Sequence, residues 1–202
     1  ENIIQKYKDE GRKFAVMWAS TVNLGDDIQA LAGVNFLNKK GINEYSFIDR
    51  EKLNEYDGEP VVLVMNGWYM HDIKKFPPSN KITPLLISFH LNNPYLAINN
   101  KEFFKKHEPV GCRDLSSMKM FQKIGIKAFF TGCLTLYFDD YENKKGGKYL
   151  VDMNTKCNYI PNVDFDESDY EDFEVIEHDI NPSMVLEERI KMGLQLLDKY
   201  RK

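Results

Sequence analysis

Residues 13–29, "KFAVMWASTVNLGDDIQ", decide how the chain reads. The apolar run "FAVMWAS" (14–20) leads into a glycine-bearing turn, "VNLGDD" (22–27), and then into the helix-like "ALAGVNFLNKKG" (30–41). Strand, turn and helix in that order open an α/β unit. Similar short runs recur at 45–49 "YSFID", 60–66 "PVVLVMN", 84–90 "PLLISFH", 109–113 "PVGCR" and 127–131 "KAFFT". Several are continuously apolar rather than alternating, as strands covered on both faces are. Helical stretches are expected at 27–40, part of 69–76, 100–107 and 115–125. Gly41 and Gly125 fall just past two of them, where a left-handed glycine commonly ends a helix. The expected fold is α/β, a doubly wound, mostly parallel, Rossmann-like sheet.

Composition narrows the partners. With 27 basic against 31 acidic residues, the net charge of -4 gives no general attraction to nucleic acid or anionic lipid. No apolar run approaches the roughly 18 residues of a membrane span, so membrane insertion is not expected. The first residues, "ENIIQKYKDEGRK", have neither an initiator Met nor a signal-peptide pattern, and the expectation is a chain cut from a larger polypeptide. Cys112, Cys133 and Cys157 are widely spaced and form no C-x-x-C pair, which suggests buried thiols in a reducing, cytoplasmic setting. No cationic residue adjoins Cys133 in sequence, so its thiol reads as structural.

The texture changes after Phe138. Residues 1–138 read as one α/β domain, and the polar, glycine-paired 139–147 as a linker. Residues 148–202 read as a partial second α/β unit that packs on the first: strands at 148–153 and 175–180, then a helix over 184–202.

The adjacent Asp26 and Asp27 are unusual at the mouth of a first crossover, where α/β proteins often hold phosphate. No G-x-G-x-x-G or Walker A sequence is present. One reading makes an aspartate a helix cap beside the turn residues Asn23 and Gly25. The other adds a role for the pair as acceptors of sugar hydroxyls. Both readings stand on the sequence.

Two longer stretches, "NLGDDIQALA" and "PVGCRDLSSMKMFQKIGIKAFFTGCLTLYF", resemble the polysaccharide pyruvyl transferase family. The matching positions are Asn23, Gly25 and Asp26 in the first turn, then Arg113, Asp114, Ser116, Gly125, Thr131, Gly132 and Cys133. "LLISFHLN" (85–92) is similar to a further strand in part of the family. The likeness covers 13–138 well, and 147–202 fits the opening of a second domain. It implies half of a GT-B-like architecture and transfer of pyruvate from phosphoenolpyruvate, the co-substrate, to hydroxyls of a carbohydrate acceptor. The family's Arg-Leu-His run has no counterpart, since none of His71, His90, His107 and His178 follows Arg-Leu. No catalytic histidine can be carried over, and the chain reads as the acceptor-side half of a transferase or as a diverged relative that lost the donor half.

The remaining candidates come from the residues themselves. Arg113 at a strand end can hold an anionic group bidentately, while Asp114 reads as a cap. His90 closes an apolar strand and is the one candidate for general acid or base, against the plainer reading of a satisfied loop histidine. Asn92 can bind hydroxyls or form the turn before Pro94, and Trp68 can offer a sugar platform or pack in the core. Asp164-x-Asp166 has a metal-like spacing but lies in an acidic, solvated run. Two other functions fit the same architecture: a glycosyltransferase using a nucleotide sugar, and a non-catalytic glycan-binding or dimerisation module, which would make a homo-oligomer.

Overall fold

The computed structural model describes residues 2–138, 149–152, 173–176 and 179–200. It divides into two compact units, and the division is not linear along the chain. The first comprises 1–20 and 29–138; the second comprises 21–28 and 139–202. The expected linker, Cys157, His178 and Asp164-x-Asp166 lie outside the described residues.

The first unit is built on six parallel strands in the order β2-β1-β3-β4-β5-β6. They are β1 (Lys13–Trp18), β2 (Tyr45–Asp49), β3 (Val61–Tyr69), β4 (Ile82–Leu91), β5 (Val110–Cys112) and β6 (Ala128–Phe130). Helices α1 (Asn2–Asp9) and α2 (Leu24–Lys39) precede and follow β1. Helices α3 (Pro94–Asn99) and α4 (Lys101–His107) connect β4 to β5, and α5 (Leu115–Lys123) connects β5 to β6. Alternate residues of β1 and β3 serve two separate cores. Val16, Val62 and Val64 pack with Ala30, Ala32 and Leu37 of α2, while Ala15, Met17, Leu63 and Met65 belong to a core that includes Phe104 and Phe121. Burial on both faces explains the unbroken apolar runs. Six of the chain's aromatic rings fill the second core, including Tyr69 stacked on Phe89 at 4.0 Å between centroids.

Three sequence boundaries move. Helix α2 begins at Leu24, so Asp26 and Asp27 lie inside its first turn rather than ahead of it. Strand β3 runs on to Tyr69, placing Trp68 in the sheet. The helix expected over part of 69–76 is only a three-residue 3-10 turn, Ile73–Lys75. Gly41 and Gly125 do end their helices with positive φ, 71° and 81°.

The second unit contains two parallel strands, β7 (Tyr149–Asp152) and β8 (Phe173–Ile176), and helix α6 (Leu186–Tyr200). Its small core joins Leu24 and Ile28 from the first turns of α2 to Ile180, Met184, Met192 and Leu196. Asn23 forms an antiparallel bridge with Asp179, and the Ile180 N–H donates to the Val22 carbonyl at 2.7 Å. Among the described residues no helix is long and apolar enough to cross a membrane.

Strand β5 is three residues long and lies between two neighbours, which makes its one glycine sensitive. A Cβ on Gly111 would stand 2.7 Å from the Thr131 methyl and 3.1 Å from the Leu86 carbonyl oxygen. Gly111→Ala should therefore destabilise the domain by about 1–3 kcal/mol, measured as a lower urea midpoint with an unchanged slope.

Candidate functional site

In an open parallel sheet, the strand carboxyl ends carry ligand chemistry because the helix N-termini and connecting loops gather there. The carboxyl ends of β4 and β5 bring together His90, Arg113 and Asp114 in the first unit. Asp114 is the N-cap of α5: its Oδ1 accepts from the Ser117 N–H at 2.8 Å, and its Oδ2 from the Ser117 hydroxyl at 2.9 Å. The same Oδ2 lies 2.6 Å from His90 Nδ1. Burial pushes the Asp114 carboxyl upward, but the hydrogen bonds from His90 and Ser117 outweigh it and bring the pKa below the ordinary 3.8. An ionised Asp114 needs a donor, so His90 carries a proton on Nδ1 and turns Nε2 away from the carboxylate. The Ser117 hydroxyl in turn accepts from the Leu91 N–H at 2.8 Å, fixing the end of β4 to α5. His90 and Asp114 keep 27% and 32% of their side-chain surface exposed, so the pair is open to a substrate.

Arg113 is half-buried, and its guanidinium makes no hydrogen bond or ion pair among the described residues. Its charge does reach Cys133. Burial raises the Cys133 pKa, yet hydrogen bonding with Thr135 and Gln29, together with the Arg113 charge, brings it below the ordinary 9.0. Arg113 is not adjacent to Cys133 in sequence; its charge reaches the thiol because the sheet places β5 beside β6. Gln29 Nε2 lies 3.3 Å from Cys133 Sγ, and the Gln29 carbonyl accepts from Asn66 Nδ2 at 2.8 Å. Gln29 and Asn66 belong to no motif that the sequence displays. Asn66 sits in β3 and Gln29 in α2, across the point where strand order reverses between β1 and β3.

Asn92 is exposed at the end of β4, while its neighbour Asn93 caps α3 by accepting from the Tyr95 N–H at 3.0 Å. Trp68 is in register with His90. Its ring is already engaged by the Arg50 guanidinium, 5.2 Å from the centroid, and by His71 at 4.6 Å, which leaves little open face for a sugar.

Within the second unit, the first turn of α2 departs from its expectation. Asn23 stands just ahead of the helix, and its Oδ1 accepts from the Gly25 N–H at 2.8 Å. Asp26 is half-exposed and accepts from the Thr21 hydroxyl at 2.7 Å. Asp27 is fully buried, with both oxygens held by Arg189: Nε to Oδ1 and Nη2 to Oδ2, each at 2.9 Å. Arg189 Nη1 donates to the Thr21 carbonyl at 2.7 Å. Burial pushes the Asp27 carboxyl above its ordinary 3.8, opposed by the Arg189 fork. The solvent-open acidic pair is thus corrected to one accessible carboxylate and one internal ion pair. The missed residue is Arg189. A signal for it existed, since it shares the α6 stripe with Met192 and Leu196, three and seven residues on.

A cavity of about 820 Å³ lies at the opposite end of the sheet, at the amino ends of β1, β2 and β3, lined by Lys13, Tyr45 and Val61 among others. Position in the fold and the His90–Asp114 contact weigh more for chemistry than cavity size.

The domain is thus a parallel, doubly wound α/β fold with a histidine–carboxylate pair at its strand carboxyl ends. A family model for polysaccharide pyruvyl transferases matches residues 23–199, and the chain belongs to that family. No curated protein and no solved structure matches it.

Two outcomes follow from the geometry. Asp27→Ala strands a buried guanidinium and should cost about 3–5 kcal/mol, whereas Asp27→Leu combined with Arg189→Met should recover most of that loss in urea denaturation. Cys133 should alkylate with a half-maximal pH below 9.0, well ahead of Cys112, which burial and the Asp114 charge push up to about 12. Peptide mapping after iodoacetamide treatment, in a Cys157→Ser background, reads the difference.

Proposed function

We propose that this domain transfers pyruvate from phosphoenolpyruvate to two hydroxyls of a sugar in a polysaccharide, with His90 as the proton-transfer group. Family membership supports the class of reaction, and the 2.6 Å contact between His90 Nδ1 and Asp114 is the observation that carries the residue assignment. Addition of an alcohol to the enol phosphate requires a proton on the methylene carbon and removal of one from the attacking hydroxyl. The His90 imidazolium, its charge balanced by Asp114, gives its proton to that carbon as the oxygen bonds to C2. The neutral ring then takes the hydroxyl proton from the same oxygen. A second hydroxyl attacks C2, its proton leaves with inorganic phosphate, and the ketal closes. Arg113 holds the carboxylate or phosphate of the donor, a role suited to a guanidinium without a protein partner. Asn92 contributes a hydrogen bond to an acceptor hydroxyl.

The test is phosphate release from phosphoenolpyruvate in the presence of β-galactoside or amino-sugar acceptors, with the ketal product weighed by mass spectrometry. His90→Ala should lower the rate about 10²–10⁴-fold with the thermal midpoint little changed. Asp114→Asn should lower the rate and shift its pH profile. A wild-type rate that His90→Ala leaves intact would remove the histidine from the chemistry.

A further inference from the structure

Strand β4 breaks its own alternation just before His90. Ile82 and Leu86 belong to the aromatic core that holds Phe104 and Phe121, while Leu85 and Ile87 pack on the α2 side. Phe89 and Leu91 are again in the aromatic core, so odd positions have taken over from even ones. The pairing with β3 records the same step. Met65 stands opposite Leu86 but Gly67 stands opposite Phe89, so β4 uses one residue more than β3 over this stretch. The step falls at Ser88, which is fully buried and has a left-handed backbone, φ 56°. Its Oγ accepts from the N–H of Leu134, a residue of the α2-side core, at 2.8 Å. Ile87 and Ser88 thus face the same side in succession, as residues at a bulge do. The Ser88 N–H donates to Thr131 Oγ1 at 3.2 Å, and Thr131 Oγ1 donates to the Cys112 carbonyl at 3.0 Å. A positive φ is costly for a residue with a Cβ, and inside a strand it persists only where the surroundings over-determine it.

Side chains of a regular strand alternate between its two faces. Unbroken alternation from Leu86 would send Phe89 to the α2 side and His90 into the aromatic core. The step at Ser88 reverses both. Phe89 stacks on Tyr69 at 4.0 Å between centroids, and His90, in register with Trp68, takes the opposite face from Phe89 and Leu91. From there its Nδ1 meets Asp114 at 2.6 Å. Bulges beside functional sites re-aim side chains in this way. We propose that Ser88 is a positioning residue, whose left-handed backbone, held by the Leu134 hydrogen bond, turns His90 out of the aromatic core and onto Asp114. The consequence for rate rests on the reading of His90 as the proton-transfer group, whereas the orientation of the ring can be read without it.

The test observes the ring directly, by proton–nitrogen correlation spectra of the whole chain carrying isotope-labelled histidine, at a pH where the ring is neutral. The signal lost in His90→Gln assigns it. Wild-type protein should show the proton on Nδ1. Ser88→Val, whose β-branched side chain resists a positive φ, should straighten the strand and carry the His90 proton mainly on Nε2, as a histidine without a carboxylate partner does. Its kcat for phosphate release from phosphoenolpyruvate should fall about 10²-fold with KM little changed. Ser88→Gly loses the same hydroxyl yet accepts the left-handed backbone, and it should return the proton to Nδ1 and restore most of the rate. Ile82→Val, a core substitution at the far end of β4, should lower the thermal midpoint without moving the His90 signal. If Ser88→Val does not fold, Ser88→Ala takes its place, since it lacks the hydroxyl but keeps the Cβ that opposes a positive φ. A wild-type ring protonated on Nε2, a folded Val or Ala variant with the wild-type signal, or a Gly variant that loses the Nδ1 proton as they do, overturns the proposal. If the signal moves as expected while the wild type releases no phosphate, the positioning role stands and the transferase reading falls.

Discussion

A carboxylate sealed against a guanidinium fixes the start of the first crossover helix. Asp27 and Arg189 are both fully buried and meet through two parallel hydrogen bonds, while the third arm of the guanidinium closes on the Thr21 carbonyl. Removing two charges from water is costly, and only this complete pairing offsets it. The pair ties residues 21–28 to α6, and this is why the compact units do not follow chain order. Leu24 and Ile28, one turn apart on the same helix, add apolar contacts to Ile180 and Leu196 in the same small core. The ion pair accordingly specifies which turn of which helix is held, and the hydrophobic contacts surround it.

Asp114 shows a second economy of polar groups. One carboxylate caps α5, accepts the Ser117 hydroxyl and orients His90. Each bond to the ionised form lowers the pKa that burial alone would raise. A capping residue therefore also sets the tautomer of a histidine on the neighbouring strand. Roles read as alternatives from sequence, cap or site, are held here by the same atoms.

Much of the fold was legible in the chain. Continuous apolar runs mark strands buried on both faces, and the alternation with helical stretches gives a parallel sheet, because both properties depend on local periodicity. The exact start of α2 was not legible: Asn23 and the two aspartates are all good cap residues, and only backbone geometry selects among them. The site was legible in part. Arg113 and His90 stood out as polar groups at strand ends. Gln29, Asn66 and Arg189 did not, since an amide or an arginine on a helix has no pattern that names its partner.

The sequence by itself determined the class of fold, the turn and strand-end motifs that resemble the pyruvyl transferases, and the charged residues available for chemistry. Tertiary structure alone decided that Asp27 is internal while Asp26 is accessible, that Arg113 lies within electrostatic reach of Cys133, and that Asp114 rather than solvent faces His90 Nδ1. The reason is that periodicity is a property of neighbours along the chain, whereas desolvation and pairing depend on residues as much as 168 positions apart.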